Sequence, residues 1–178
     1  MLSDEALYEQ LLRGEMAAFD QLYERYERPL FGFVLKHVRD RAEAEDLLHE
    51  AFLGVLKGRR QEQGGFRAWL FQVAHNLCLN RARSAGRASR AMQVVARDGE
   101  PTAEPASGAL ERHQAVTALL HAVEVLPEPL AELYHLRVAG LSYDEMAGVV
   151  QAPVGTVKSR MHELIGRLRE EMKPWTAS

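Results

Sequence analysis

The sequence predicts an all-α protein: two small helical domains joined by a flexible linker, the C-terminal one a helix-turn-helix. Three observations predict this. Apolar residues recur at three- and four-residue steps instead of alternating. Helix formers (Ala, Leu, Glu, Arg) dominate, and Val and Ile do not gather into strand-like runs. A stretch of small residues and prolines after Gly86 separates two periodic halves. With 178 residues, 47% of them apolar, the chain can bury one core of ordinary size or two small ones.

Asp4 to Arg13 reads as a short helix with Leu7, Leu11 and Leu12 on one side, ended by Gly14. Glu15 to Val38 is a long helical stretch in which Phe19, Leu22, Tyr23, Tyr26, Leu30, Phe33 and Val34 share a face. Pro29 falls inside it and is expected to kink or split it. Asp40 can cap a third helix running to about Lys57, with Ala44, Leu47, Leu48, Ala51, Phe52 and Val55 inward and acids on the other side. A glycine-rich loop, KGRRQEQGG, follows. Phe66 to Arg83 is the fourth helix, with Trp69, Leu70, Val73 and Leu77 facing inward.

The first domain is expected over residues 1–85, the linker over 86–109 and the second domain over 110–173. The second opens with helices at Leu110–Val125 and Glu128–Val138, broken at Leu126-Pro127. Ser142 and Glu145 have the spacing of a capping box and start a short helix through Val150. Gln151-Ala152-Pro153 turns the chain into the last long helix, which Lys173-Pro174 is expected to stop.

Charge is segregated. The formal net charge is −3, yet no acid lies between Glu62 and Asp98, where Arg67, Arg81, Arg83, Arg87, Arg90 and Arg97 fall. Lys57, Arg59 and Arg60 come just before. A second acid-free window, Met146 to His162, holds Lys158 and Arg160, while Asp40, Glu43, Glu45, Asp46 and Glu50 concentrate acid elsewhere. Basic surfaces of this kind suit phosphate, and the acidic one suits a basic protein partner.

Two short helices joined by a tight turn, the second with a polar front, make a DNA-reading module. Ala147 sits where the helices cross, Val157 points back into the crossing, and Leu141, Val150, Met161 and Leu164 complete a small core. Lys158, Ser159 and His162 are left on the outward face, where the start of such a helix enters the major groove. Amides near Gly155 and Thr156 can hold a backbone phosphate. Gln151 occupies the turn position where glycine is usual, and a left-handed backbone there costs on the order of 1 kcal/mol.

In the first half, Phe66, Trp69, Phe71 and Asn76 lie among bases, a mixture suited to unpaired nucleotides: rings stack on bases and cations hold phosphates. At this helical spacing Trp69 and Leu70 read as core, whereas nothing in the apolar pattern claims Asn76 or the loop from Lys57 to Gly65. Enzyme readings fare poorly, since there is no phosphate-cradling glycine loop and the acids sit as faces and caps. His75 and Cys78 lie three apart on one helix, but no other cysteine exists and no His partner pair is visible, so neither a metal nor any other cofactor is expected. The single cysteine fits a reducing cytoplasm, and neither a secretion signal nor a membrane span is expected.

Three blocks, AEDLLHEAFLGVLK, FRAWLFQVAHNLCLNRAR and LPEPLAELYHLRVAGLSYDEMAGVVQAPVGTVKSRMHELIGRLRE, resemble those of bacterial extracytoplasmic-function sigma factors, the small two-domain members of the sigma-70 family. The resemblance implies a non-enzymatic protein that binds core RNA polymerase and directs it to promoter DNA. It implies that Asp46, Leu47, Glu50 and Phe52 form the polymerase-binding block. It implies that Lys57, Arg59, Arg60, Phe66, Asn76, Asn80 and Arg83 engage the −10 element, with Asn76 reading a flipped base. Gly155, Thr156, Lys158, Ser159, Arg160 and His162 would engage the −35 element. An anti-sigma factor is the further expected partner, and no C-terminal sensing domain is expected beyond PWTAS. The sequence departs from the family pattern at His49, where Gln is usual, at Gln151, and at Glu163, Leu164 and Ile165, which remove positive charge beside the DNA. The competing readings are a stand-alone helix-turn-helix regulator that binds duplex DNA as a dimer, and a partner-binding bundle with no DNA role.

Overall fold

The structure is a computed structural model that describes residues 2–58, 65–88 and 109–176. Among these residues every regular element is a helix: α1 (Asp4–Leu12), α2 (Met16–Val38), α3 (Arg41–Leu56), α4 (Phe66–Ala88), α5 (Ala109–Glu124), α6 (Glu128–Val138), α7 (Tyr143–Val150) and α8 (Val154–Thr176).

The capping chemistry read from the sequence is in place. Ser3 accepts a hydrogen bond from the Ala6 amide at 3.2 Å and starts α1. Asp40 accepts from the Glu43 amide at 2.8 Å and starts α3. Ser142 and Glu145 close the reciprocal box at the head of α7, at 3.2 and 2.7 Å, a device worth about 1 kcal/mol per cap. Gly14 turns the chain out of α1 at φ 91°. Gln151 does adopt the left-handed conformation, φ 52° and ψ 45°, at the end of α7.

Three expectations are corrected. Pro29 does not split α2, which runs through it to Val38. Pro174 does not stop α8, which reaches Thr176. The fourth helix does not end at Arg83 but continues to Ala88, past the start expected for the linker; the remainder of that segment, 89–108, lies outside the described residues. In each case the tertiary setting or the local Ala and Arg content outweighs a single unfavourable residue.

Helices α1 to α4 form one bundle around Leu7, Tyr8, Leu22, Leu30, Phe33, Phe66, Leu70 and Phe71, all fully buried. Helices α5 to α8 form a second around Leu133, Leu136, Leu141, Met146 and Val157, also fully buried. The two do not stand apart. Helix α2 packs on α6 and α4 packs on α7, so that a single apolar cluster runs through both bundles. Polar contacts tie the seam: Lys36 on α2 donates to the carbonyl oxygens of Glu124 at 2.7 Å and Val123 at 3.3 Å, and Arg67 on α4 lies 3.5 Å from the Glu145 carboxylate on α7.

Candidate functional site

The expected sites fall on three faces. On α3 the inward positions Ala44, Leu47, Leu48, Ala51, Phe52 and Val55 are buried against the bundle. Asp46, His49 and Glu50 are exposed on the opposite side. The four residues assigned to the polymerase-binding block therefore divide. Asp46 and Glu50 are available, while Leu47 (3% exposed) and Phe52 (2% exposed) are core residues, Phe52 lying against Phe19 and Tyr23. The outer face has apolar members of its own, Leu53, half exposed one turn beyond Glu50, and Leu56 a turn further. Sequence reasoning missed Leu53 because it breaks the inward period of α3 and reads as a stray apolar residue. That break in the period was the signal available.

Along α4 the same division holds. Phe66 was expected to meet DNA, but it is fully buried, its ring 5.3 Å from Tyr8, 5.9 Å from Tyr26 and 5.8 Å from Trp69 between centroids. Its backbone amide donates to the Glu5 carboxylate at 3.2 Å, which satisfies one of the free donors at the helix start. It is a core anchor and offers no face to a base. Trp69 and Leu70 are core, as their spacing suggested. Asn76, Asn80 and Arg83, four and three residues apart, are exposed along the free side of the helix, and Lys57 is exposed at the end of α3. Arg81, between them, is held by Glu43 of α3 at 2.6 Å. Arg59 and Arg60 lie outside the described residues.

Helix α8 places its residues as the helix-turn-helix pattern requires. Ala147 is nearly buried and Val157 fully so at the crossing of α7 and α8, with Leu141, Met161 and Leu164 beneath. Val150 is only partly buried at the rim. Gly155, Lys158, Ser159 and His162 are exposed, and Thr156 and Arg160 are half-buried. Ser159 Oγ donates back to the Gly155 carbonyl oxygen at 3.0 Å, leaving its lone pairs outward as acceptors. Glu163 pairs with Arg167 at 2.9 Å one turn on, which neutralises part of the acid introduced behind the recognition residues.

One cluster the sequence did not reveal lies at the seam. Nε2 of His75 on α4 is 3.0 Å, and Nε2 of His37 on α2 is 3.4 Å, from one carboxylate oxygen of Glu132 on α6. Burial alone would raise the Glu132 pKa, but the two imidazoles more than offset it and hold the group at about 2. Burial works against a charged His37, yet Glu132 and the Phe33 carbonyl together leave its pKa raised. The sequence had offered His75 with Cys78 and found no partners. The partners are His37 and Glu132, from other helices. Cys78 is not part of the trio; its thiol is buried and pushed up to about 12, which leaves it unreactive.

Comparison with known proteins agrees with this geometry. The profile for Sigma-70 region 2 matches residues 22–88, and that for Sigma-70, region 4 matches residues 117–168. The chain is similar to the RNA polymerase sigma-H factor of Pseudomonas aeruginosa, 31% identical over 96% of this chain and 94% of that one. It is similar also to the ECF RNA polymerase sigma-E factors of Haemophilus influenzae (29% identical, 97% of each chain) and Escherichia coli K12 (28%, 97% and 96%). Among solved structures it resembles the sigma factor RpoE of Bartonella quintana in complex with the anti-sigma factor NepR. The TM-score there is 0.65 at 22% identity, over 87% of this chain and 96% of that one. It also resembles CnrH in complex with the cytosolic domain of CnrY, with a TM-score of 0.58 at 21% identity, over 96% and 97%. The chain belongs to the sigma-70 family of RNA polymerase sigma factors and carries its regions 2 and 4 in order. Among the described residues no helix is long and apolar enough to cross a membrane.

Proposed function

We propose that this chain binds core RNA polymerase and directs initiation at promoters with −10 and −35 elements, using the surfaces described above. The observation that carries the proposal is the outward set Lys158, Ser159 and His162 on a helix whose other side is buried, in one chain with a region 2 unit. Lys158 is suited to guanine acceptors or a phosphate, and Ser159 and His162 to neighbouring base edges. The Gly155 amide sits at the positive end of α8, where a phosphate is favoured, whereas that of Thr156 donates to the Pro153 carbonyl oxygen at 2.9 Å.

In region 2, Asn76, Asn80 and Arg83 form the strip that would contact the opened −10 strand. Asn76 can present both a donor and an acceptor to a flipped base. Asp46, Glu50 and Leu53 form the polymerase-binding face: two carboxylates for a basic surface around one apolar contact. A stand-alone dimeric regulator has no use for such a face, and membership of the sigma-70 family favours the polymerase-dependent reading. The protein has no catalytic role in this scheme and acts in the bacterial cytoplasm, where its polymerase is. An anti-sigma factor is the expected second partner; the similar RpoE structure named above holds one, NepR.

The test is Asp46→Arg in a pull-down with purified core polymerase. Association should drop at least tenfold while duplex binding by region 4 persists. Unchanged association would remove α3 from the docking surface.

A further inference from the structure

We propose that His37, His75 and Glu132 form a binding site for a divalent transition metal of the zinc class, bridging region 2 and region 4. The three ligand atoms lie within 4.8 Å of one another. Two donors held ~2.0–2.1 Å from one tetrahedral zinc ion lie ~3.3 Å apart; the two imidazole-to-carboxylate distances here are 3.0 and 3.4 Å. Both imidazoles are more than nine-tenths buried.

The trio leaves two polar atoms without a hydrogen-bond partner. Nδ1 of His37 lies 2.8 Å from the Phe33 carbonyl oxygen, which can only accept, so Nδ1 carries the proton, and whenever the ring is neutral its Nε2 lone pair faces Glu132. The Glu132 oxygen and His75 Nδ1 are buried without a hydrogen-bond partner. A dication between the three would take a lone pair from each, with water in the fourth position. The Phe33 carbonyl already fixes His37 in the tautomer such a ligand needs. Imidazole and carboxylate donors suit zinc and its first-row neighbours and disfavour magnesium, which prefers oxygen alone.

Two ligands belong to region 2 and one to region 4, so bound metal stabilises the packed arrangement of the two regions by mass action. Elements centred about 25 base pairs apart span ~85 Å of duplex at 3.4 Å per base pair. Regions that share one core cannot grip both. The ion therefore acts as a brake on promoter engagement. This last step rests on the sigma factor reading; the site itself does not.

The test uses the full-length, chelator-treated protein, zinc chloride, isothermal titration and small-angle scattering. Wild type should bind one equivalent and become more compact. His75→Ala and Glu132→Gln should each weaken binding roughly tenfold or more, while His121→Ala, at an exposed histidine of α5, should not. Glu132→Gln conserves volume, and a cooperative thermal melt establishes that it folds; zinc should raise the melting temperature of wild type and not of this variant. Absence of binding, or binding untouched by both substitutions, overturns the site. Binding at the trio without compaction overturns the brake. None of these readouts uses polymerase or DNA, so failure here leaves the transcriptional role intact.

Discussion

Glu145 of α7 holds Arg67 of α4 at 3.5 Å while its other duty is to cap its own helix, accepting from the Ser142 amide at 2.7 Å. One carboxylate thus starts the helix-turn-helix and fastens it to the helix that carries Asn76. The two duties can be separated. Glu145→Gln keeps the cap and loses only a partly exposed ion pair, worth about 0–1 kcal/mol. Glu145→Ala loses both and should cost about 1–2 kcal/mol by chemical denaturation. Equal costs would mean that the cap contributes nothing.

Gln151 sits at φ 52° in the turn of the helix-turn-helix, a conformation that glycine adopts freely. Gln151→Gly should stabilise the protein by about 1 kcal/mol without altering DNA affinity. A loss of stability on thermal melting would show that the Gln151 side chain holds the turn.

Phe66 and Asn76 were both expected to meet DNA, and the structure sets them apart. Phe66→Ala should cost about 3–5 kcal/mol of stability, as for a large core aromatic. Asn76→Ala should leave stability within about 0.5 kcal/mol and reduce permanganate reactivity of unpaired thymines at the −10 element. If Phe66→Ala melts like wild type, its placement in the core is wrong.

Lys158→Ala tests the −35 contact. If Lys158 touches a base edge, the substitution should cost about 1–3 kcal/mol on the cognate site and relax preference at one position. A uniform loss on all sequences, with a shallower salt dependence, would make it a phosphate contact only.

His135 gives a pH signature. Burial, and then the nearby Lys36 and His37, depress its pKa to about 4. The folded state therefore favours neutral imidazole, and the associated stability is present above pH ~6.5 and lost as pH falls toward 4, to the extent of roughly 2–3 kcal/mol. Glu132, held at about 2, adds loss only below pH ~4.5. The raised pKa of His37 acts in the opposite sense, giving stability that fades as pH rises. In metal-free protein, His135→Gln should flatten the stability profile between pH 6.5 and 4.5. An unchanged slope would place its origin elsewhere.

The caps, turns and apolar periods were legible in the sequence because each is a local matter: Ser142 with Glu145, Asp40 with Glu43, and the inward face of α8 need only near neighbours. The outward set on α8 followed as the remainder of that face. Leu47, Phe52 and Phe66 were assigned to interfaces, yet Phe52 packs against Tyr23, Phe66 packs against Tyr8 and Tyr26, and Leu47 is buried in the core. A motif does not distinguish a residue that contacts a partner from one that supports the contact. The trio of His37, His75 and Glu132 was invisible because it draws on three helices, and no local spacing reports a contact between residues 37, 75 and 132. Pro29 and Pro174 misled for a related reason: a helix held by packing or by many good neighbours tolerates one poor residue.

The most direct measurement of the central claim is transcription in vitro from a library of upstream fragments, using purified core polymerase with and without this protein. Transcripts should start at defined positions only when the protein is present, and Lys158→Ala and Asn76→Ala should each reduce them. If bare polymerase gains no defined start from any fragment, the assignment of these surfaces to promoter recognition is contradicted.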